Sequence, residues 1–113
     1  MKSINQLIVG ENLKSFFLCI DKVEKRTRFG DLFLDITLQD KTGVIRGKLW
    51  KNIPHFSSRF SIGDHVAIKG NIIDYRNTKE IKVDFINKAT NSLYEVYGFS
   101  DSLLTSSSFK DIL

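Results

Sequence analysis

The chain has 113 residues, of which 42% are hydrophobic and 27% charged, so it suits one domain with a core and is not a disordered chain. Its net charge is +4, but residues 1–88 carry 16 basic and 10 acidic side chains, a balance of +6, and the rest carry −2. A single cysteine, Cys19, excludes an internal disulfide and a cysteine-rich zinc site. No apolar run approaches the roughly 20 residues of a membrane span, and the N-terminus lacks the pattern of a signal peptide. We therefore expect a soluble, cytoplasmic protein with no membrane contact, in which Cys19 is buried.

The first three predicted elements are strands. Residues 16–21 alternate between two faces and lead into a basic loop at residues 24–28. In residues 32–39, four aliphatic side chains alternate with a mixed, mostly polar set, which indicates a half-buried second strand. The turn at residues 40–43 starts with Asp and ends with Gly, and it predicts an antiparallel hairpin with a third strand at residues 45–49.

A helical link and two more strands follow. Residues 52–60 contain the only proline and predict a short helix or coil that caps the core. Residues 66–73 and 81–85 alternate again and predict the fourth and fifth strands, joined by a polar loop at residues 75–80. Periodicity assigns four phenylalanines to the core: Phe16, Phe56, Phe60 and Phe85. Trp50, at the end of the third strand, is expected to plug the barrel under the helical link.

Five strands with one helical link after the third match an all-β OB-fold, a five-stranded Greek-key barrel that binds oligonucleotides and oligosaccharides. Gly47 and Gly70 lie in mid-strand on the predicted inward face, where glycine lets a strand bend enough to close a small barrel. We place this domain at residues 1–88. Residues 89–113 include a serine-rich stretch and are interpreted as a C-terminal linker leading towards a following domain.

Catalysis by this chain is not expected. The two histidines, His55 and His65, are not accompanied by a metal-ligand pattern, and the neighbours Asp64 and His65 would point to opposite faces of a strand. The sequence has no glycine-rich phosphate loop, nucleophile elbow or paired-carboxylate motif. We predict no catalytic residue, no metal site and no cofactor.

Basic and aromatic residues instead predict a binding surface. In an OB-fold, the loop between the first two strands, the face of strands two and three, and the loop between the last two strands frame the ligand groove. Basic clusters fall in all three places, which suits phosphates, and exposed rings would stack on unpaired bases. The candidate nucleic-acid-binding residues are Arg26, Arg28, Phe29, Phe33, Arg46, Lys48, Tyr75, Arg76, Lys79 and Lys82. Phe33 either stacks on a base or packs on a loop or on the C-terminal segment, because single exposed apolar residues are common.

Two longer stretches, residues 40–50 and 60–70 followed by Tyr75-Arg76, resemble OB-fold nucleic-acid-binding domains of the tRNA-anticodon-binding type. Residues 4–7, 16–18 and 34–38 are similar to the N-terminal domain of YhaM-type 3′→5′ exoribonucleases. In that family a metal-dependent HD domain follows and performs the cleavage, and residues 103–112 are similar to the joint that leads into it. This sequence lacks the His-Asp dipeptide, so no catalytic residue is carried over. The resemblance implies a domain that holds single-stranded RNA or DNA for a nuclease domain.

A second hypothesis is a protein-interaction OB domain that supports an oligomer, with Phe33, Ile73 and Ile86 as its hydrophobic contact. A homo-oligomer through the parent protein is compatible with either hypothesis. An oligosaccharide-binding domain is disfavoured by the basic groove. Because phosphate contacts weaken steeply with salt, the salt dependence of RNA binding distinguishes the first two hypotheses.

Overall fold

The computed structural model describes residues 3–89, and residues 90–113 of the predicted linker lie outside them. A 3₁₀ turn at Ile4–Gln6 comes before five strands and one short helix. The elements are β1 (Asn12–Arg26), β2 (Leu32–Asp40), β3 (Gly43–Leu49), α1 (Ile53–Ser57), β4 (His65–Tyr75) and β5 (Thr78–Lys88). The predicted order of strands, with a helical link after the third, is confirmed.

The five strands form a closed barrel in the order β1-β2-β3-β5-β4. All neighbouring strands are antiparallel except β3 and β5, which run parallel. The long strand β1 closes the barrel, because its first half pairs with β4 and its second half with β2. A register irregularity between Cys19 and Asp21 marks the point where β1 passes from one partner to the other. This topology is that of the predicted OB-fold.

Alternation places the aliphatic side chains of β2 and β3 inside the barrel. Leu34, Ile36 and Leu38 are fully buried, and Cys19 is buried beside them, as predicted. Gly47 faces inward, where an added Cβ would lie 3.0 Å from Val83 Cγ2. Both the inward face of the hairpin and the position of Gly47 are therefore confirmed.

Gly70 allows a close approach between β4 and β5. A Cβ at Gly70 would lie 2.2 Å from the carbonyl oxygen of Lys82, so no other residue fits without moving a strand. The β4–β5 register shifts between Lys69 and Gly70, and Asp84 of β5 has no partner there. The glycine and this β-bulge together set the sharp bend of the barrel wall.

The predicted core was wrong at two phenylalanines, and the bulge at Asp84 explains one of them. Beyond Asp84 the inward residue of β5 is Ile86, which is fully buried, whereas Phe85 is only half-buried and meets the Phe56 ring edge-on at 5.6 Å. In β1, Phe17 occupies the core, and Phe16 lies on the outer face although it is buried. The hypothesised hydrophobic contact through Ile86 is therefore excluded, because that side chain lies inside the barrel.

The helical link closes one end of the barrel. Ile53, Phe56 and Phe60 are buried there, which confirms the prediction for the two phenylalanines. The ammonium of Lys22 lies 4.3 Å from the centre of the Phe60 ring and donates hydrogen bonds to the carbonyl oxygens of Ser57 and Phe60. Lys22 is therefore bound to the helical link.

Candidate nucleic-acid interface

The outer faces of β2, β3 and β5 form one continuous surface. In the β2–β3 register Asp35 pairs with Lys48, and in the parallel β3–β5 register Lys48 pairs with Lys82. Side chains two residues apart on a strand share a face. Phe33, two residues before Asp35, therefore lies beside Trp50, two residues after Lys48. The predicted register, which places Phe33, Arg46 and Lys48 on the same face, is confirmed.

Two rings on this surface lie beside one ammonium group, and a third ring stacks on one of them. Phe33 and Trp50 stack with their centres 4.7 Å apart and an interplanar angle of 30°. Lys48 Nζ lies 3.9 Å from the centre of the Tyr75 ring and 5.7 Å from that of Phe33. We call Phe33, Trp50 and Tyr75 the aromatic face. Trp50 and Tyr75 are exposed, so their rings are accessible to a planar ligand.

Two buried carboxylates hold the cations of this surface in place. Glu80 Oε1 lies 3.2 Å from Lys48 Nζ. Asp35 Oδ2 lies 2.7 Å from Lys25 Nζ and 3.7 Å from Arg46 Nη2. Because Asp35 and Glu80 are only 6% and 4% exposed, their charges are screened less by water than those of surface acids. The arrangement fixes the ammonium of Lys48 between the rings and leaves the Arg46 side chain more than half exposed.

The loop between β1 and β2 lies at the end of this surface, because Lys25 pairs with Phe33 in the β1–β2 register. Phe29 is 78% exposed, and the Arg28 guanidinium lies 4.9 Å from the centre of its ring. Arg26 Nη1 donates a hydrogen bond to the carbonyl oxygen of Gly30, which orders the loop. The register therefore places the loop that carries Arg26, Arg28 and Phe29 next to the aromatic face, and Phe29 is a further exposed ring beside it.

The prediction of a polar loop at residues 75–80 is wrong, because only a two-residue turn joins β4 to β5. Tyr75 pairs with Thr78, and the two residues between them, Arg76 and Asn77, have positive φ angles of 51° and 65°. This is the two-residue hairpin geometry that matches the twist of the strands. The Arg76 guanidinium lies 5.2 Å from the centre of the Tyr75 ring, so it remains beside the aromatic face.

Two predicted lysines of β5 have different surroundings. The Lys79 ammonium donates a hydrogen bond of 2.6 Å to the carbonyl oxygen of Leu7, so it secures the N-terminal segment to the barrel. Lys82 is exposed on the outer face and lines a cleft of about 200 Å³ together with Trp50. The structure therefore brings Lys82 to the candidate interface and directs Lys79 to the N-terminal segment.

The prediction for Trp50 is the one that the structure corrects most clearly. Trp50 does not plug the barrel: the side chain is 42% exposed and stacks on Phe33. Its parity with Arg46 and Lys48 on the third strand was the signal that could have placed it outside. Asp35 and Glu80 were not predicted as part of the surface either, because a lone acid in an exposed position of a strand gives no sign that it will be buried by its partners.

The histidines give no sign of metal chemistry. His65 is buried at the start of β4 and His55 is exposed in α1. Within residues 3–89, no three His, Cys, Asp or Glu side chains come together as a potential metal site. The same residues contain no helix that is long and apolar enough to cross a membrane.

Comparisons with known proteins agree with this architecture. The sequence profile of the OB-fold nucleic acid binding domain family matches residues 22–89. The chain is 35% identical over 82 residues to the 3′-5′ exoribonuclease YhaM of Halalkalibacterium halodurans, a match that covers 73% of this chain and 26% of the relative. The chain thus spans about a quarter of the length of that relative.

Solved structures show the same fold at lower identity. A crystal structure of a domain of replication protein A from Methanococcus maripaludis matches with a TM-score of 0.65 and 24% identity, over 80% of this chain and 97% of that one. A replication protein A heterotrimer bound to single-stranded DNA matches with a TM-score of 0.61 and 13% identity, over 96% and 79% of the two chains. From its barrel topology and the profile match over residues 22–89, the chain belongs to the OB-fold nucleic acid binding domain family.

Proposed function

We propose that this chain binds single-stranded nucleic acid across the aromatic face. The observation that carries the proposal is a group of three rings on one barrel surface: Phe33 stacks on Trp50, and the Lys48 ammonium lies near Phe33 and Tyr75. Binding without sequence preference requires rings on which bases stack and cations that follow the backbone, and both occur here side by side. A single strand is favoured over a duplex because only unpaired bases offer their flat faces to the rings.

The cations divide into two groups by their surroundings. Lys48 is only 15% exposed and is held by Glu80, so it positions the rings and supports them by cation–π contact. Arg46 and Lys82 are exposed on the same surface, so phosphates can reach both side chains. The loop that carries Arg28 and Phe29 extends the binding surface at one end.

We also propose a role in the parent protein. The matched relative is a 3′-5′ exoribonuclease about four times as long as the matched region, of which this chain covers 26%. In such a protein, this domain would hold the RNA strand while a separate catalytic domain cleaves it. RNA is therefore the first ligand to test, and DNA of the same length is the comparison.

Trp50 offers a direct assay, because it is the only tryptophan of the chain. We expect a short oligouridylate to change its fluorescence and to bind more weakly as salt rises, and a duplex to bind less well. Phe33→Ala is expected to cost about 1 to 3 kcal/mol of affinity, the range for one stacked base. Ile62→Ala is the matched control, since it truncates an exposed apolar side chain outside the aromatic face.

Three results would contradict the proposal: no binding at low salt, equal affinity for a duplex, or equal effects of Phe33→Ala and Ile62→Ala. A protein-interaction domain would behave differently. In that case Phe33→Ala would change the sedimentation coefficient and leave oligonucleotide affinity unchanged. Arg46→Ala provides a further check, because removal of a phosphate-binding side chain weakens all base sequences alike.

A further inference from the structure

A cleft opens beside the aromatic face where β3 and β5 separate. The two strands pair in parallel as far as Lys48 and Lys82, and β3 then ends at Leu49. Strand β5 continues along β4, and its bulge residue Asp84 pairs with neither neighbouring strand. The cleft of about 200 Å³ lies at this separation, and Trp50 and Asp84 both line it. Because Trp50 also belongs to the aromatic face, a strand bound there can place a base in the cleft.

The size and lining of the cleft suit a single base. Leu49 and Val83 are almost fully buried and give it an apolar floor. Trp50 lines it as well: Phe33 stacks on the Trp50 ring, but 42% of Trp50 remains exposed. Pockets for drug-sized ligands measure about 300 to 1,000 Å³, so this smaller cleft suits one planar ring system.

Asp84 gives the cleft its chemical selectivity. It is exposed, and within residues 3–89 its carboxylate forms no hydrogen bond and no ion pair. A carboxylate only accepts hydrogen bonds, so it repels phosphate and attracts the N–H groups of a base. Lys51 and Lys82, which also line the cleft and are exposed, offer positive charge to the phosphates on either side of that base.

The four bases differ in what they present to such a carboxylate. Proteins read unpaired bases partly on their Watson–Crick edges. On this edge guanine has two adjacent donors, N1–H and the 2-amino group, which match the two carboxylate oxygens. Adenine and cytosine each place one amino group beside a ring nitrogen that accepts, and uracil has one N–H between two carbonyl oxygens. Because an acceptor opposite a carboxylate is repelled and left without a donor, guanine fits best.

We propose that this cleft is a guanine-selective subsite of the nucleic-acid interface. The guanine ring packs on Trp50 above Leu49 and Val83, and its N1–H and 2-amino groups donate to the Asp84 carboxylate. This inference rests on the proposed function, because the guanine belongs to the strand that crosses the aromatic face. It adds a preference at one position to stacking that by itself accepts any base.

The test uses an oligouridylate of about 8 nucleotides, within the roughly 4 to 16 that one OB-fold binds. One uridine at a time is replaced by guanosine, adenosine or inosine. Adenosine retains the stacking of a purine but presents an acceptor, and inosine keeps N1–H but lacks the 2-amino group. Asp84→Asn removes the charge and nearly keeps the shape, and Asp74→Asn is the matched control, because Asp74 is exposed and does not line the cleft. Fluorescence anisotropy measures affinity, and urea unfolding verifies the fold of each variant.

At one position of the strand, we expect guanosine to bind about fivefold or more tightly than adenosine, with inosine between them. Asp84→Asn should bring the ratio of guanosine to adenosine affinity within about twofold of equality, and Asp74→Asn should leave this ratio unchanged. Both strands carry the same number of phosphates, so the ratio should change little with salt.

Equal binding of guanosine and adenosine at every position would overturn the inference, as would equal effects of Asp84→Asn and Asp74→Asn on the ratio. The inosine comparison needs no variant, so it tests the inference even if a substitution disturbs the fold. Binding of the oligouridylate without any preference for guanosine would leave the proposed function intact and refute the subsite alone. If the unsubstituted chain binds no strand at low salt, the proposed function fails together with the subsite.

Discussion

Replacing Glu80 by Gln removes the charge that holds Lys48 in the aromatic face and keeps the shape of the side chain. Glu80 is almost fully buried, and Lys48 is the only cation within ion-pair distance of it among residues 3–89. Removing one partner of a fully buried pair costs about 3 to 5 kcal/mol, whereas an exposed pair contributes about 0 to 1 kcal/mol. Lys48 keeps some exposure and its contact with Tyr75, so we expect a loss of about 2 kcal/mol in the free energy of unfolding.

The effect on binding should have the opposite sign. Glu80→Gln adds one net positive charge to the surface and releases the Lys48 ammonium towards a ligand, so affinity for a short oligouridylate at low salt should rise. Urea unfolding and Trp50 fluorescence titration measure the two effects on the same sample. Glu24→Gln is the matched control, because Glu24 is exposed and has no ion pair within residues 3–89.

A double-mutant cycle with Lys48→Met isolates the pair. If the pair acts as described, the two substitutions together cost less stability than the sum of the single ones, with a coupling within about 0.5 to 3 kcal/mol. Additive costs, or equal stability of Glu80→Gln and Glu24→Gln, would refute the reasoning. A fall in affinity of Glu80→Gln at unchanged stability would show that the carboxylate itself contacts the ligand.

Two further predictions concern the barrel. Gly70→Ala should lower the free energy of unfolding by about 2 to 3 kcal/mol, because the new methyl group meets the Lys82 carbonyl oxygen. Gly43→Ala is the control and should change this free energy little, because the nearest atom to its new methyl group lies at 3.9 Å. Urea unfolding of both variants measures the difference. Burial raises the pKa of the Cys19 thiol from 9.0 to about 11, so the folded protein should resist a thiol reagent at pH 8 and react after unfolding in urea. Because the unfolded chain loses this proton first, stability should decline as pH rises from about 9 to about 11, and rapid labelling of the folded chain would contradict the burial of the thiol.

The fold could be predicted from the sequence because alternation in β2 and β3 is regular and the strand order is simple. Leu34, Ile36 and Leu38 face inward as their spacing indicates. One prediction failed because an extra residue changes parity: the bulge at Asp84 exchanges the roles of Phe85 and Ile86. A bulge depends on contacts between distant strands, here the approach of Gly70 to Lys82, and periodicity within one strand cannot reveal it.

The candidate site was predictable in outline. The register placed Phe33, Arg46 and Lys48 together, since one turn of known length sets the β2–β3 pairing. Glu80 lies next to Lys48 because β3 and β5 pair in parallel when the barrel closes. This pairing joins two strands that are distant in the sequence, so no pattern within either strand indicates it. Whether the predicted residues bind nucleic acid stays a prediction, to be decided by the variants above.

The double pairing of β1 has a consequence for how the chain folds during synthesis. Asn12 meets Asn71 across 59 residues of sequence, so the barrel can close only after β4 has left the ribosome. Until then β1, β2 and β3 form at most an open sheet, with Leu13 and Phe17 uncovered and two strand edges unpaired. Folds with such distant pairings form slowly, in milliseconds to seconds. A nascent chain of this domain therefore passes through a stage in which it can pair with its neighbours on a polysome, and only the arrival of β4 and β5 ends that exposure.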